Sequence, residues 1–287
     1  MNRHLFGGFL ITLSMAIFSM IGPFIRYVNL QPIVIIFYST LFTSTILFSY
    51  FLCSKKLKEL FVGKHIWWLL ISALCILGNT YTYFTAYKIT TLANSVLTHY
   101  TAPIFAAMLA PIFLKEKLEK TTVVSLVFAS IGLFLIASNG LAINSQHMTG
   151  IIYGSLSGFF YGILILISKK LVSYLDPLVI LFYQCATTVF VLSPFISQPI
   201  FSINIHQAGM LLVYALVISI LGVTLYLKGL RHVEAQHAGI LAYSEPFIVV
   251  LIGMLFYKEE LTLKLLIGGI MIIYSGYLIL KAEANRD

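Results

Sequence analysis

Apolar residues recur along this chain in long unbroken runs. They show neither the alternation of a half-buried strand nor the one-sided stripe of a surface helix. Ten runs come close to the ~20 residues a bilayer-crossing helix needs. The first five extend approximately over Leu5–Ile25, Pro32–Leu52, His65–Tyr87, Leu92–Leu114 and Thr121–Ala137. The second five extend over Met148–Ser168, Pro177–Ile196, His206–Leu227, Ala235–Tyr257 and Thr262–Lys281. Runs that are apolar on every face predict helices in lipid and argue against a β-barrel. The connections are short, and the longest, Cys53–Lys64, leaves no room for a soluble catalytic module. The first run is longer than a signal-peptide core and lacks a small-x-small cleavage site, so it is read as a span.

Composition agrees with the pattern. Hydrophobic residues make up 60% of the 287 residues and charged residues 10%. Soluble domains are nearer 45–50% and about 25%. The net charge of +8 would suggest nucleic acid on a soluble chain. Here the basic residues sit between apolar runs, so no nucleic-acid partner is expected. With the N-terminus in the cytoplasm, 14 of the 18 Lys and Arg fall on the inner side, among them Lys55, Lys115, Lys169, Arg231 and Lys281. Arg26, Lys88, Lys258 and Lys264 fall outside. The positive-inside rule therefore predicts a multi-pass inner-membrane protein with both termini cytoplasmic. Cys53, Cys75 and Cys185 are far apart and fit no metal-ligand spacing, so neither a metal site nor a disulfide framework is expected.

The chain repeats itself. A shift of 143 residues lays Leu92–Leu118 on Ala235–Leu261, with six identities in 27 positions. Tyr100 falls on Tyr243, Pro103 on Pro246, and Lys115-Glu116 on Lys258-Glu259. The same shift pairs Gly7 with Gly150 and Tyr83 with Tyr226. Two five-span repeats are expected, at residues 1–140 and 141–287. Five is odd, so the second repeat must enter the membrane inverted, an arrangement used by secondary transporters with a midplane site.

These features resemble EamA-type transporters of the drug/metabolite transporter superfamily. The resemblance rests on "LTHYTAPIFAAMLAPIFLKEKL" and "LAYSEPFIVVLIGMLFYKEEL" at the fourth span of each half. It rests also on "IGLFLIA" and "SGYLILK" in the fifth spans, and on "YFTAYKITTLANS" and "YLKGLRHVEAQHAG" before the fourth. Many relatives carry an Arg in the second span, where "IIFYSTLF" has none. The resemblance implies a gradient-driven carrier of metabolites, often amino acids, working as exporter or exchanger. No phosphate-binding loop, cofactor or catalytic residue is expected. A nucleotide-sugar or phosphorylated-metabolite carrier is the alternative, disfavoured because no Lys or Arg lies mid-span. A non-transporting membrane protein is a further reading, and a homodimer is left open.

Among ten acidic residues, Glu245 alone falls well inside a span; Glu283 and the others are read as lying at ends or in loops. An ionisable group at membrane depth costs roughly 2.5–3.5 kcal/mol, which marks Glu245 as a proton acceptor or as the partner of a substrate ammonium. Pro103 and Pro246 remove backbone donors mid-span and free the carbonyls of His99 and Ala242, which marks them as hinge candidates where a span can break or a carbonyl can coordinate a cation, with a static kink as the alternative. His99 is the one histidine well within a span and is expected to share a cavity with Glu245. Asn79, Thr82 and Tyr83 fall at i, i+3 and i+4 and predict a polar face turned to the bundle interior. Tyr153, Ser157 and Tyr226 complete the substrate or proton candidates. Ala102, Ala106 and Ala110 are read as close-packing positions.

Overall fold

The computed structural model describes residues 3–138, 141, 143, 145–196, 202–257 and 262–284. Lys258, Glu259, Glu260, Arg286 and Asp287, which entered the charge reading, lie outside the described residues. Among the described residues every regular element is helical. In lipid a spanning segment must satisfy its own N–H and C=O groups, and a helix does so internally.

Span one is α1 (Arg3–Phe18) followed, after a break at Ser19-Met20, by α2 (Ile21–Val28). Spans two and three are α3 (Pro32–Cys53) and α4 (Ile66–Ile89). Span four is broken into α5 (Leu92–His99) and α6 (Ala102–Phe113), and span five is α7 (Lys120–Ala137). The second half has α8 (Ser145–Val172) and α9 (Pro177–Leu192). Its third span joins α10 (Ile205–Tyr214), a π-helical stretch Ala215–Gly222 and α11 (Val223–Leu230). Span nine is α12 (Ala235–Ala242) with α13 (Ser244–Tyr257), and span ten is α14 (Leu263–Ala284). Among the described residues nine stretches are each long and apolar enough to cross a bilayer. The split α12–α13 supplies the tenth.

Local signals account for the helix starts. Pro32 and Pro177 open α3 and α9, where the missing N–H costs nothing. Asp176 accepts from Leu178 N at 2.8 Å. Thr91 caps α5 by accepting from Asn94 N at 3.1 Å. Asn204 and Gln207 form a reciprocal capping box on α10.

The packing has the symmetry expected of two inverted copies. Principal helix pairs are α4·α8, α1·α11, α3·α9, α7·α14 and α6·α12. The 143-residue shift turns α4·α8 into the α11·α1 pair and returns α3·α9 and α7·α14 to themselves, as a two-fold relation requires; α6·α12 joins spans four and nine, which the shift also exchanges. Lipid tails are as apolar as leucine, so helix association here rests on close packing and hydrogen bonds rather than on hydrophobic burial. Large residues such as Phe190 and Ile112 accordingly face outward. The closest packing follows Gly150, Gly154, Gly158 and Gly162 of α8, which run along the backbone of α5 and α6. A Cβ at Gly158 would stand 2.8 Å from the carbonyl oxygens of Thr98 and His99. Ala102, Ala106 and Ala110 are fully buried on the facing helix.

Candidate functional site

The two breaks in spans four and nine occupy equivalent positions. α5 ends at His99 and α12 at Ala242; α6 begins at Ala102 and α13 at Ser244. Tyr100 and Tyr243 sit at the breaks with ring centroids 5.6 Å apart. Each tyrosine reaches toward the other repeat. The Tyr243 hydroxyl donates to Tyr100 O at 3.0 Å and meets Ser130 Oγ of α7 at 3.1 Å. The Tyr100 hydroxyl lies beside the Glu245 carboxyl. The half-helices end at His99 and Ala242, the residues four before Pro103 and Pro246, whose carbonyls the prolines cannot serve. Neither kinks a continuous helix: the interruption precedes each one, and Pro103 and Pro246 stand in the first turn of the second half-helix. The N–H groups of a first turn have no intrahelical partner, so proline is tolerated there without strain.

A central cavity lies between the repeats and offers water about 190 Å³. Glu245, His99, Asn79, Tyr83 and Tyr226 all line it. So do Tyr161, Tyr214 and Gln184, which the apolar patterning did not single out. One wall is a stack of rings from three spans. His99 lies between Tyr83, at 3.9 Å, and Tyr161, at 5.1 Å, with both pairs nearly parallel. His99 Nδ1 bonds Ser157 Oγ, and that hydroxyl donates to Asn79 Oδ1 at 3.2 Å. With the serine proton so placed, Nδ1 carries the imidazole proton and Nε2 is left as an acceptor. The Tyr226 hydroxyl is buried beside that of Tyr161.

Three expected site residues take other places. Thr82 is buried but does not line the cavity; its hydroxyl bonds Gly78 O at 2.6 Å and Asn79 O at 3.1 Å on its own helix. A threonine can satisfy itself on the preceding turn, so its place in a polar stripe does not fix which way that stripe faces. Ser157 stands behind the wall as the link between His99 and Asn79. Tyr153 is half-buried and outside the lining.

The polar groups are distributed unevenly between the copies. The 143-residue shift relates Glu245 to Ala102, His99 to Ala242 and Asn79 to Gly222. Ser157 corresponds to Ser14, whose hydroxyl bonds Ile11 O of its own helix. A symmetric scaffold thus holds an asymmetric set of chemical groups at its centre.

A second polar cluster was not anticipated. Glu283 lies at the end of α14, as expected, and is fully buried there. Its carboxyl meets His237 Nδ1 at 2.6 Å and His4 Nδ1 at 2.7 Å, and accepts from Glu234 N at 3.1 Å. His237 Nε2 also contacts Thr122 Oγ1 at 3.0 Å. Glu116, in the turn after α6, accepts from Ala235 N at 3.0 Å. Burial holds the Glu116 carboxyl above its ordinary range, against the pull of its backbone bonds and Lys169. Two carboxyl groups therefore serve the first N–H groups of α12. Among the described residues no cluster of His, Cys, Asp and Glu is arranged to hold a metal ion.

Ten apolar spans, an inverted repeat and a central cavity at paired helix breaks define a multi-pass membrane protein of transporter architecture. The EamA-like transporter family model matches residues 5–138 and again 148–281, and the chain belongs to that family. The two matches start 143 residues apart and end 143 residues apart, the same shift that aligns the tyrosines and prolines. An uncharacterized transporter YxxF of Bacillus subtilis (strain 168) is 26% identical over 271 residues, covering 92% of this chain and 86% of the relative. An uncharacterized transporter of Archaeoglobus fulgidus is 31% identical over 205 residues, covering 70% and 71%. A crystal structure with TM-score 0.78 and 14% identity covers 96% of this chain and 95% of its own, and shares the fold.

Proposed function

We propose that this chain is a secondary active transporter that moves a small metabolite across the cell membrane by alternating access, as exporter or exchanger. The observation that carries this reading is the central cavity: it lies between the repeats, beside both helix breaks, and gathers Glu245, His99, Asn79 and Tyr226 from four different spans. Rocking of one repeat against the other around such a site would expose it to each side in turn. Breaks at Tyr100 and Tyr243 supply places where the half-helices can pivot. The charge asymmetry of the loops supports cytoplasmic termini. No Lys or Arg is among the cavity-lining residues, which disfavours nucleotide sugars and other phosphorylated cargo.

Counterflow in proteoliposomes tests the reading. Vesicles loaded with a mixed metabolite pool should accumulate a labelled member of that pool, and the same compound unlabelled outside should abolish the signal. Glu245→Gln, checked for normal insertion, should lower the exchange rate at least tenfold. Wild-type rates in that variant from pH 5 to 8 would remove Glu245 from the mechanism. Silence of the wild-type protein across the pool would count against transport itself. Cysteine labelling should place Lys115 and Ile143 on opposite sides of the membrane.

A further inference from the structure

The formal charge of the cavity's lining and its aromatic rings bear on the charge of the cargo. The inference rests on the reading of the cavity as the transport site. Several hydrogen-bond donors that line it are already committed to protein acceptors. The Thr40 hydroxyl bonds Ile36 O at 2.7 Å, and that of Thr188 bonds Gln184 O at 2.8 Å. The Gln184 amide nitrogen donates to Ser72 Oγ at 3.3 Å, and His99 Nδ1 is held by Ser157. The Tyr83 hydroxyl is shared with Tyr87 at 2.9 Å. What this leaves toward a ligand includes the Glu245 carboxyl and His99 Nε2 as acceptors, together with the Tyr161, Tyr214 and Tyr226 hydroxyls and the Asn79 amide nitrogen as groups that can donate.

Hydrogen bonding alone does not set the charge of the cargo; formal charge does. Among the described lining residues Glu245 is the one acidic side chain, and none is Lys or Arg. A carboxylate or phosphate on the cargo would face Glu245 with no cation to offset it. A positive group meets the opposite situation, with a carboxyl to pair with and tyrosine rings around it, a setting in which cations are attracted to aromatic faces. Tyr161, Tyr214, Tyr226 and Phe18 with the aliphatic lining would take an apolar body. We infer that the cavity selects an organic monocation, an amine or quaternary ammonium with a compact apolar body, over a zwitterion or anion of the same shape.

Three probes with one body and different charge test this. They are a phenylalkyl trimethylammonium ion, phenylalanine and phenylacetate, each labelled, with full-length protein in proteoliposomes. The quaternary ion does not leak through the bilayer as a neutral base. The expected result is saturable counterflow of the cation, at least tenfold faster than that of the amino acid, and none of the acid. Glu245→Gln should abolish cation exchange and Glu245→Asp should restore part of it, both variants having wild-type elution and melting behaviour. Equal or faster exchange of phenylalanine or phenylacetate would overturn the charge preference and leave the transport reading standing. So would failure of the cation in vesicles that still exchange members of the metabolite pool. If neither the probes nor the pool exchange, the transport reading fails, and this inference with it.

Discussion

The two ends of the bundle are built from the same parts and finished differently. At the end that carries the chain termini, His4 of α1 meets Glu283, which also holds His237 and the Glu234 N–H at the start of α12. At the far end, His147 of α8 meets Thr90 Oγ1 at 3.2 Å, and Thr90 accepts from Asn94 of α5 at 2.9 Å. The 143-residue shift carries His4 to His147 and Asn94 to His237. In both places the first helix of one repeat braces the broken helix of the other. Gly7 and Gly150, also equivalent, let that first helix approach Val233 and Thr90, again an equivalent pair. The brace therefore follows from duplicated geometry, while its chemistry has diverged. A buried carboxyl between two imidazoles ties the terminal face, and a neutral hydroxyl ties the far face. Geometry shared by both copies braces each end, and the different chemistry should brace them with unequal strength.

The largest expected effect breaks the terminal brace. Glu283→Ala removes the acceptor of the buried His237 imidazole and of a backbone N–H, and the carboxyl that half-buried His4 approaches. Stripping one partner from such a buried cluster costs about 3–5 kcal/mol. The matched change at the far face is Thr90→Val, which leaves Asn94 Nδ2 and His147 Nδ1 without their shared oxygen. It should cost about 1–3 kcal/mol. Unfolding free energies in mixed micelles would compare them directly. Equal losses would erase the distinction between the ends.

A middling effect concerns the wall that both braces position. Gly158→Ala would push a methyl into the Thr98 and His99 carbonyls, at the break that presents His99 to the cavity. Overpacking of this kind costs about 1–3 kcal/mol. Gly209, in α10, has nothing within 4 Å of an added Cβ, so Gly209→Ala should instead stabilise by about 0.5–1 kcal/mol through helix propensity. Opposite signs in the same unfolding assay are the expected outcome. A neutral Gly158→Ala would mean that α8 can slide away from α5 at no cost.

Much of this was legible in the residues because it depends on local composition. Ten apolar runs, the 143-residue shift and the isolation of Glu245 need no tertiary information. The cavity was legible only where a residue stood out against its run, as Glu245, His99 and Asn79 do. Tyr161, Tyr214 and Gln184 did not, because a helix apolar on all faces gives no sign of which side looks inward. Thr82 misled for the complementary reason: its spacing marked a face, and its hydroxyl had a partner one turn back. The prolines marked the right places: each half-helix ends at the residue four before the proline, where the missing N–H leaves a carbonyl unserved. Glu283 was hidden because its burial requires His4, about 280 residues away in the chain, and His237 to converge on it. An acid near a helix end otherwise reads as solvated.

The smallest effect asks whether charge or hydrogen bonding holds the start of α12. Glu116 is the second carboxyl at the terminal brace, accepting from Ala235 N and, at 3.4 Å, from Gln236 N. Desolvation by burial is the largest influence on it and raises its pKa from the ordinary 4.5, outweighing the two backbone bonds and Lys169. A carboxyl whose folded pKa is raised holds its proton more tightly in the folded state. Its favourable contribution is complete below the unfolded value and is lost as pH rises through the folded one. Glu116→Gln keeps one acceptor oxygen and cannot ionise. The stability of the wild type minus that of the variant should therefore fall as pH rises above about 4.5, then level off once the carboxyl has ionised in both states. Melting temperatures of the two proteins between pH 4 and 8 would follow this difference. A difference that grew with pH would mean that the ionised form is the better cap, with the α12 N–H groups and Lys169 overcoming desolvation. The terminal brace would then be held by charge at Glu116 as well as by the imidazole–carboxyl cluster. A difference that falls confines the ionic contribution to Glu283 and leaves Glu116 as a hydrogen-bonding cap, closer in kind to Thr91 at the start of α5.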